Sequence, residues 1–411
     1  MFRKRITRKR KKFFKKKSKK KKSSFSYNYF SKRYKILFLS IIFLFIGFVD
    51  FYYSKSHLFN NDIIIESKQY KYLNEIKNKA INQNEGKLLQ EINLIKHIYA
   101  KKINRYKKGK NIIHITEALN DDNLYKYVTL VSLYSIISNC NKNTFIIFHI
   151  LCTPDFNESS TLIFKSLFKK FSKNIELIIY NMGNIFLNRK DKRYSQSTYY
   201  RLLVPLFTNS DRIIHLDGET LTFSDLSEMY NLDFNDNYVL GFYDIISHGV
   251  DYLGLKSNIY INAGVTLFNL KKIREDNKTM ELINMANSNI KLNNVDQTII
   301  NYVLYPKIGR LPCKFGTFNF ADKSDIEYYL SKLRTKVSIE ELEEGIRNPA
   351  IVHSVLCYPK IWSVKTEYQK WVTKCGERHN CSCQKYFDIW HSFAKKTEYY
   401  EEIAKLTGVA Q

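Results

Sequence analysis

The feature that most constrains the fold is a regular alternation of short apolar runs with longer helical patterns from about residue 111 onward. The apolar runs have the length of strands, and the segments between them have helical spacing. Such alternation is typical of an α/β domain whose mostly parallel sheet is flanked by helices. Ligands bind such sheets beyond the carboxyl ends of the strands, so functional residues are expected directly after each strand. The predicted strands are Asn111–Ile115, Thr144–Leu151, Ile175–Tyr180 and Arg212–Leu216, and the predicted helices are Leu124–Asn139, Glu158–Phe171 and Thr198–Leu206.

The positive charge of the chain is concentrated at its N-terminus. The net charge is +27, and 18 of the 66 Lys and Arg residues lie within residues 1–35, which contain no Asp or Glu. A strongly basic chain invites a nucleic-acid-binding interpretation, but here most of the excess belongs to a tail and not to the α/β region. We therefore expect no nucleic-acid partner.

Residues 36–53, ILFLSIIFLFIGFVDFYY, form an apolar stretch with a single charged residue, Asp50. A helix of this length spans roughly 27 Å, about the thickness of a thin bilayer. The basic tail argues against a buried core helix, and the long polar region before the stretch argues against a cleaved signal peptide. The Lys and Arg bias places the tail in the cytosol, so the sequence predicts a type II, single-pass membrane anchor.

The remaining chain divides into three parts. Residues 54–110 are polar and rich in Lys, and their apolar positions at roughly helical spacing predict a helical stem or spacer, with a disordered linker as the alternative. Residues 111–365 contain the α/β pattern, and residues 366–411 form a C-terminal, Cys-containing helical extension. Its cysteines Cys375, Cys381 and Cys383 are expected to form disulfides among themselves or with Cys357 or Cys313.

One acidic turn follows a predicted strand directly. The strand Arg212–Leu216 ends in Asp217-Gly218-Glu219, where a glycine separates two carboxylates and lets the backbone approach a bulky ligand. Two hard oxygen donors suit Mn²⁺ or Mg²⁺, which in turn can hold a diphosphate. Acidic residues are common in turns, so this motif alone is a weak signal.

The stretch RIIHLDGETLTFSDLSEMYN at 212–231 resembles the metal-binding segment of glycosyltransferase family 8, whose members are retaining enzymes with the Rossmann-like GT-A fold. Other segments resemble further motifs of the family in the same order along the chain. They are Ala118–Asn123, Ser197–Leu202, Tyr243–Asp244, Tyr260–Leu270, Val295–Asn301, Leu311–Phe315, Ile351–His353 and Lys360–Trp362. The resemblance covers roughly residues 111–365 and implies that this part is a catalytic domain.

The resemblance implies a role for each matched polar residue. The expected metal ligands, for Mn²⁺ or Mg²⁺, are Asp217, Glu219 and His353. Residues expected to line the nucleobase and ribose pocket are Asn120, Asp121 and Asp122. Residues expected to bind the donor sugar are Arg201, Asp244, Asn262, Asp296 and Gln297. Lys360 would neutralise the leaving diphosphate together with the metal.

Retention of configuration requires either a covalent intermediate or front-face attack guided by the leaving diphosphate, and the family is usually described by the second. Asp244 or Gln297 would then stabilise the developing sugar cation, which makes these two residues and Lys360 the expected catalytic set. Purely structural interpretations stand beside these roles. His353 could be a core residue, Asp296 a helix-start residue, and Asn262 and Gln297 loop or helix caps.

The sequence thus predicts a metal-dependent, UDP-sugar-dependent retaining hexosyltransferase that glycosylates a glycan, glycolipid or glycoprotein. Its catalytic domain would lie in the lumen of the Golgi or endoplasmic reticulum. The sequence departs from the family pattern at Glu219, where Asp is usual, and at Lys360-Ile361-Trp362, which lacks the usual Pro. These departures leave an alternative open, in which a catalytically weakened member binds nucleotide sugars or glycans.

Overall fold

The structure is a computed structural model, and all its described residues belong to one compact unit, residues 65–411. Those residues are 96–100, 111–171, 174–186, 194–244, 260–288, 292, 294–318, 330, 337–356, 360–362 and 382–408, with backbone only at 96–100 and 382–384. The predicted tail 1–35 and anchor 36–53 lie outside them. Within the described ranges, no helix combines the length and the apolar character that crossing a bilayer requires.

The strands and helices alternate along most of the chain, as the sequence predicts. The described strands are β1 (Lys96–Ala100), β2 (Asn111–Leu119), β3 (Thr144–Cys152), β4 (Ile175–Asn181), β5 (Ile213–Leu216), β6 (Thr220–Thr222), β7 (Val239–Tyr243), β8 (Ile261–Phe268), β9 (Ile308–Arg310), β10 (Thr317–Phe318) and β11 (Ile351–His353). The described α-helices are α1 (Tyr125–Ser138), α2 (Glu158–Lys170), α3 (Ser227–Tyr230), α4 (Leu270–Glu275), α5 (Lys278–Asn287), α6 (Val295–Val303), α7 (Ile339–Arg347), α8 (Ser382–Ala394) and α9 (Tyr400–Thr407).

Eight of these strands form one mixed, mostly parallel sheet in the order β1-β4-β3-β2-β5-β8-β7-β9. Strands β4, β3, β2 and β5 are parallel neighbours, whereas β8 is antiparallel to both β5 and β7. The four predicted strands are confirmed. The carboxyl ends of β2, β3 and β5 therefore meet at one edge of the sheet, where the predicted site residues follow them.

A second, three-stranded sheet has the order β10-β11-β6. Strand β6 begins immediately after the Asp217-Gly218-Glu219 turn and pairs antiparallel with β11, so that Thr220 lies opposite His353. This ladder brings two segments more than 130 residues apart in the chain to the same place. It is the reason that the acidic turn and His353 meet.

The segment predicted as the helix Thr198–Leu206 forms a 3-10 helix, Gln196–Leu206, instead of an α-helix. Ser, Thr, Tyr and Val residues are weak helix formers, and Pro205 has no amide hydrogen to donate within the helix. The segment is nevertheless almost entirely buried, and Ser195 caps its start by accepting a hydrogen bond from the backbone N–H of Ser197. The predicted helix is thus confirmed, and the structure shows that it is of the 3-10 type.

Strand β1 lies within residues 54–110, for which the sequence predicted a helical or disordered spacer. The backbone of Lys96–Ala100 pairs antiparallel with β4 at the edge of the sheet. An Ile and a Tyr favour strand formation in this segment, and the otherwise unpaired edge of β4 offers hydrogen-bonding partners. A helical prediction for these five residues is therefore wrong.

The core lies on both faces of the large sheet. Ile214 and Leu216 pack on one face and Ile213 on the other, as the two-residue period of a strand requires. Helices α8 and α9 contribute Trp390 and Ile403 to the first of these clusters, so the described part of the C-terminal extension shares the core of the α/β domain. Cys313 is a buried free thiol, which excludes the disulfide proposed for it.

His391 in α8 is a buried histidine with an apolar environment. Its side chain is 5% exposed, and its ring lies 4.3 Å from the ring of Phe387 and 4.9 Å from that of Trp390, measured between centroids. Burial, assisted by the charge of Lys395, lowers the pKa of His391 to about 4. An unfolded histidine has a pKa of about 6.5, so the unfolded chain binds this proton more readily than the folded one.

The contribution of His391 to the free energy of unfolding should therefore be fully present above pH 6.5 and should be lost as the pH drops towards about 4. Replacing His391 with Phe should flatten this dependence by up to about 1 kcal/mol per pH unit, because one proton-binding group is removed. Urea unfolding at several pH values between 7 and 4 measures the slope, with Ser392→Ala as a neighbouring variant that removes no titrating group. Equal slopes for His391→Phe and the wild type would contradict the assignment.

Candidate functional site

The acidic turn is fixed to the sheet through its backbone. The N–H of Asp217 donates to the carbonyl of Gly264 at 2.7 Å, and the N–H of Thr220 donates to the carbonyl of Asp217 at 3.1 Å. Gly218 packs on α1, where an added Cβ would lie 2.4 Å from Oγ1 of Thr129. Only glycine allows this approach, so Gly218 serves packing against the helix as well as the turn.

The structure brings the three predicted metal ligands together. Nε2 of His353 lies 3.5 Å from Oδ2 of Asp217 and 3.5 Å from Oε1 of Glu219. His353 is almost fully buried, whereas Asp217 is 25% exposed on the side of the site that faces solvent. His353 is thus a buried residue, as the structural interpretation expects, and it also lies beside the two acids, as the metal-ligand interpretation expects.

Gly264 leaves the space in which these side chains meet. An added Cβ would lie 2.2 Å from Cε1 of His353 and 2.5 Å from Oδ2 of Asp217, distances at which one of them would have to move. Glycine is therefore a steric requirement of the site. The residue lies in the predicted Tyr260–Leu270 segment, but its role follows only from the contact in three dimensions.

The donor atoms of Asp217, Glu219 and His353 are of the kinds that bind divalent cations. As the side chains stand, no group of three or more His, Cys, Asp or Glu residues in the described ranges has the arrangement of a metal site. Two carboxylates and an imidazole are nevertheless a suitable donor set for Mn²⁺. Adjacent ligands at about 2.1 Å from one ion stand about 3 Å apart, so the observed 3.5 Å separations require only a small approach.

Arg201 is the buried centre of the site. Its Nη2 donates to Oδ1 of Asp217 at 2.7 Å, its Nη1 donates to the carbonyl of Ala263 at 2.7 Å, and its Nε lies 3.0 Å from Oδ2 of Asp296. The side chain is 7% exposed. The guanidinium of Arg201 thus contacts protein partners, chiefly the two carboxylates, and its expected contact with the donor sugar stays a prediction.

Burial and the charges around Arg201 shift the pKa values of its two acid partners in opposite directions. Burial alone would raise the pKa of Asp217, but the Arg201 guanidinium, His215 and His353 outweigh it and hold that pKa far below its usual range. Asp296 lies deeper, and burial raises its pKa to about 6 although Arg201 opposes the shift. Asp296 therefore has a structural partner in the protein at the start of α6, where the sequence left its role open.

A second carboxylate, Asp244, follows β7 and is held by two amide groups. Nδ2 of Asn262 and Nε2 of Gln297 donate to Oδ2 of Asp244, at 3.1 and 2.9 Å. Oε1 of Gln297 accepts a hydrogen bond from the N–H of Ala263 at 3.0 Å, so both ends of this amide bind the protein. Three of the five residues predicted to bind the donor sugar are thus brought into one network.

The predicted nucleobase residues have distinct environments at the end of β2. Oδ1 of Asp122 accepts hydrogen bonds from the N–H groups of Leu124 and Tyr125 and so caps the start of α1. Asp121 is paired with Lys126 at 3.1 Å and accepts a hydrogen bond from Ser160. Asn120 directly follows the strand and is half-buried, which places it nearest the sheet edge of the three.

Lys360 pairs with the second acid of the turn. Its Nζ donates to Oε2 of Glu219 at 2.7 Å and lies 5.5 Å from the centre of the Trp362 ring. Burial alone would raise the pKa of Glu219, but His353 and Lys360 outweigh it and lower that pKa. Each acid therefore turns one oxygen to a cationic side chain and the other to His353.

Two residues near the site were missed by the sequence analysis. Tyr125 packs edge-on against Trp362 at 6.4 Å, and burial together with the charges of Glu219 and Asp217 raises the pKa of its hydroxyl. Glu117 is fully buried in β2, and Ser132 donates to its Oε1 at 3.1 Å. An acid within an apolar strand was the available signal for Glu117, and the first aromatic residue of α1 was the signal for Tyr125.

Replacing Arg201 with Lys should destabilise the protein by about 3 kcal/mol or more, because one ammonium group cannot hold both carboxylates and leaves buried charge uncompensated. Arg212→Lys is a matched control, since Arg212 is a half-buried arginine whose guanidinium donates to the carbonyls of Tyr230 and Leu232 and lies 4.9 Å from the centre of the Phe234 ring. It should cost about 1 kcal/mol. Chemical denaturation measures both, and equal losses would contradict the central role of Arg201.

Comparison with known proteins agrees with this geometry. The family model described as "Glycosyl transferase family 8" matches residues 114–355. A protein of Haemophilus influenzae named as a glycosyltransferase is 31% identical over 208 residues, 48% of this chain and 61% of that protein. The lipopolysaccharide 1,2-glucosyltransferase of Escherichia coli is 26% identical over 230 residues, 52% of this chain and 66% of that protein.

Solved structures show the same fold. The bifunctional glycosyltransferase WbbM has a TM-score of 0.56 at 18% identity, covering 74% of this chain and 52% of that protein. The galactosyltransferase LgtC, solved with donor and acceptor sugar analogues, has a TM-score of 0.51 at 19% identity, covering 71% of this chain and all of that protein. The fold is thus GT-A-like, and the chain spans only about half to two thirds of several of these relatives. Because the family model matches more than half of the sequence, the chain belongs to glycosyltransferase family 8.

Proposed function

We propose that the protein is a metal-dependent, retaining hexosyltransferase that transfers glucose or galactose from a UDP-sugar to a glycan, glycolipid or glycoprotein. The observation that carries the proposal is the convergence of Asp217, Glu219 and His353 above Gly264, with Lys360 beside them. The hexose is suggested by the names of two relatives, a 1,2-glucosyltransferase and a galactosyltransferase.

Asp217, Glu219 and His353 would hold Mn²⁺ or Mg²⁺, which supplies charge neutralisation of the donor diphosphate when bound. The residues of the chain prepare the rest. The guanidinium of Arg201 occupies one oxygen of Asp217 and keeps this carboxylate ionised. Lys360 places a positive charge on the same side of the turn, where the leaving diphosphate would develop its negative charge.

Asp244 would face the sugar at the point where charge develops. The bond between the anomeric carbon and the phosphate oxygen breaks, the acceptor oxygen bonds to the same face of that carbon, and the acceptor proton passes to the leaving diphosphate. Asp244 would stabilise the positive charge on the sugar, and Asn262 and Gln297 hold its carboxylate in place. Both ends of the Gln297 amide bind the protein, which favours an orienting role for Gln297 over direct attack.

The uridine would lie at the end of β2, beside Asn120 and Asp121. Asp121 is held by Lys126 and Ser160, so its carboxylate has a fixed orientation. Asp122 would act indirectly, because it caps α1 and thereby fixes the position of Tyr125 at the start of the helix.

A binding protein without efficient turnover is the second candidate. The observation that favours it is the 2.7 Å ion pair between Glu219 and Lys360, in which an expected metal ligand and an expected diphosphate ligand satisfy each other. Such a protein would bind a nucleotide sugar in a metal-dependent way but release little product.

The transferase proposal predicts UDP release from UDP-glucose or UDP-galactose by the full-length chain with Mn²⁺, and its loss with EDTA. Asp217→Ala should lower this rate by about 100-fold or more, because the charge that binds and orients the donor complex is lost. Glu228→Ala, at an exposed acid that pairs with Lys314 and not with the residues of the site, should retain the rate. No UDP release from any common UDP-hexose by folded protein would refute the transferase, and UDP binding without turnover would support the second candidate.

Membrane anchoring by residues 36–53 is part of the proposal and rests on their hydropathy and on the basic tail. The catalytic domain would then lie on the side of the membrane opposite the tail, which is the Golgi or endoplasmic reticulum lumen in a eukaryotic cell. In sealed vesicles with the cytosolic side outward, added protease should digest the tail and spare residues 111–408. Digestion of that domain without detergent would contradict this topology.

A further inference from the structure

The carboxylate of Glu219 connects two segments of the chain that are not adjacent in sequence. Its Oε1 lies 3.5 Å from Nε2 of His353 in β11, and its Oε2 lies 2.7 Å from Nζ of Lys360. Glu219 is only 13% exposed and Lys360 25%, so the pair is shielded on most sides. One side chain thus contacts both polar groups that the C-terminal part of the domain brings to the turn.

Other contacts fix the direction of the Lys360 side chain. Its Nζ also donates to the carbonyl of Val355 at 3.4 Å and lies 5.5 Å from the centre of the Trp362 ring. Ile361 is fully buried in the core, and Trp362 packs against Tyr125 at 6.4 Å. Lys360 is therefore held at its base by the core and at its tip by Glu219.

The length of Glu219 is what allows this contact. Its backbone is fixed, because the N–H of Ser354 donates to its carbonyl at 3.1 Å and the next residue, Thr220, is paired with His353. An Asp at this position would be one methylene group shorter, about 1.5 Å. With the backbone held, the carboxylate of an Asp would lie about 4 Å from Nζ of Lys360 and would no longer form a close pair.

We propose that Glu219 is a positioning residue for Lys360, which it holds beside the acidic turn before a nucleotide binds. The proposal rests on the function proposed above, in which Lys360 meets the diphosphate of the donor. A lysine side chain loses rotamer freedom when it is fixed. Because Glu219 fixes Lys360 in the folded protein, this loss does not accompany donor binding, and the diphosphate meets a cation that is already in place.

If Glu219 hindered donor binding, its substitution would change UDP affinity in the opposite direction. If Glu219 withheld Lys360 from the diphosphate, shortening Glu219 would release the ammonium group and strengthen UDP binding. If Glu219 acted only through a metal ion, Asp would serve almost equally well, and any loss on substitution would not depend on Lys360. The direction of the effect and its dependence on Lys360 therefore distinguish the three cases.

The first measurement uses the ligand-free protein. Trp362 is one of three tryptophans in the chain and lies beside Lys360, so its emission reports the position of that side chain. Glu219→Asp and Lys360→Met should each shift the emission in the same direction, and the double variant should shift it no further. Unchanged emission in Glu219→Asp would overturn the proposal, whether or not the protein binds UDP.

The second measurement is the affinity for UDP and for uridine, by calorimetry with Mn²⁺. Glu219→Asp should weaken UDP binding by about tenfold and leave uridine binding unchanged, because only UDP carries the diphosphate. In the Lys360→Met background, Glu219→Asp should change UDP affinity by less than twofold. A tenfold loss that persists in that background, or tighter UDP binding by Glu219→Asp, would overturn the proposal.

Two further variants keep the result interpretable. Arginine is longer than lysine, so the double variant Glu219→Asp with Lys360→Arg should restore the contact and recover most of the lost UDP affinity. If the affinity did not recover, the loss in Glu219→Asp would not be explained by the shorter side chain. Glu228→Asp makes the same change in the exposed pair of Glu228 with Lys314, which are 2.6 Å apart, and should alter neither measurement. If the wild type binds no UDP, the proposed function fails, and the emission measurement still decides the role of Glu219.

Discussion

The site depends on a buried guanidinium. Arg201 joins the end of β5 through Asp217, β8 through the carbonyl of Ala263, and the start of α6 through Asp296. A charge at 7% exposure is tolerated only where its partners compensate for lost hydration, so these three elements cannot separate without exposing or isolating it. The position of Asp217 is consequently set by contacts behind the turn. The turn itself contributes the close packing of Gly218 on α1 and the second acid.

Sequence patterns predicted the parts of this arrangement that depend on local chemistry. The strands ending before Asn120 and Asp217 followed from apolar runs, and the sheet brought their ends to one edge as parallel topology requires. Family motifs supplied His353, Asn262 and Gln297, and all three lie in the predicted region. What each side chain contacts there could not be read from spacing, because contacts depend on packing between distant elements.

Arg201 and Gly264 illustrate this limit. The sequence suggested a contact of Arg201 with the donor sugar, which stays a prediction, and it gave no sign of the ion pairs that Arg201 makes with Asp217 and Asp296 in the buried interior. Gly264 was one residue of a matched segment, and only the approach of His353 from β11 shows that a side chain there would collide. The strand β1 was missed for a related reason, since five residues in a polar region become a strand because β4 offers an open edge.

The two acids of the turn have the same arrangement of partners, and these partners hold them in place without a bound ion. Each gives one oxygen to a protein cation, Arg201 or Lys360, and directs the other towards His353. Two acids, two cations and the histidine between the acids thus hold one another, and the two cations offset like-charge repulsion between the acids. The oxygens facing His353 are then in place for a divalent cation, whose binding needs only a small approach of groups that the fold has already gathered. The site is therefore formed when the protein folds, and a divalent cation would bind to side chains that are already close together.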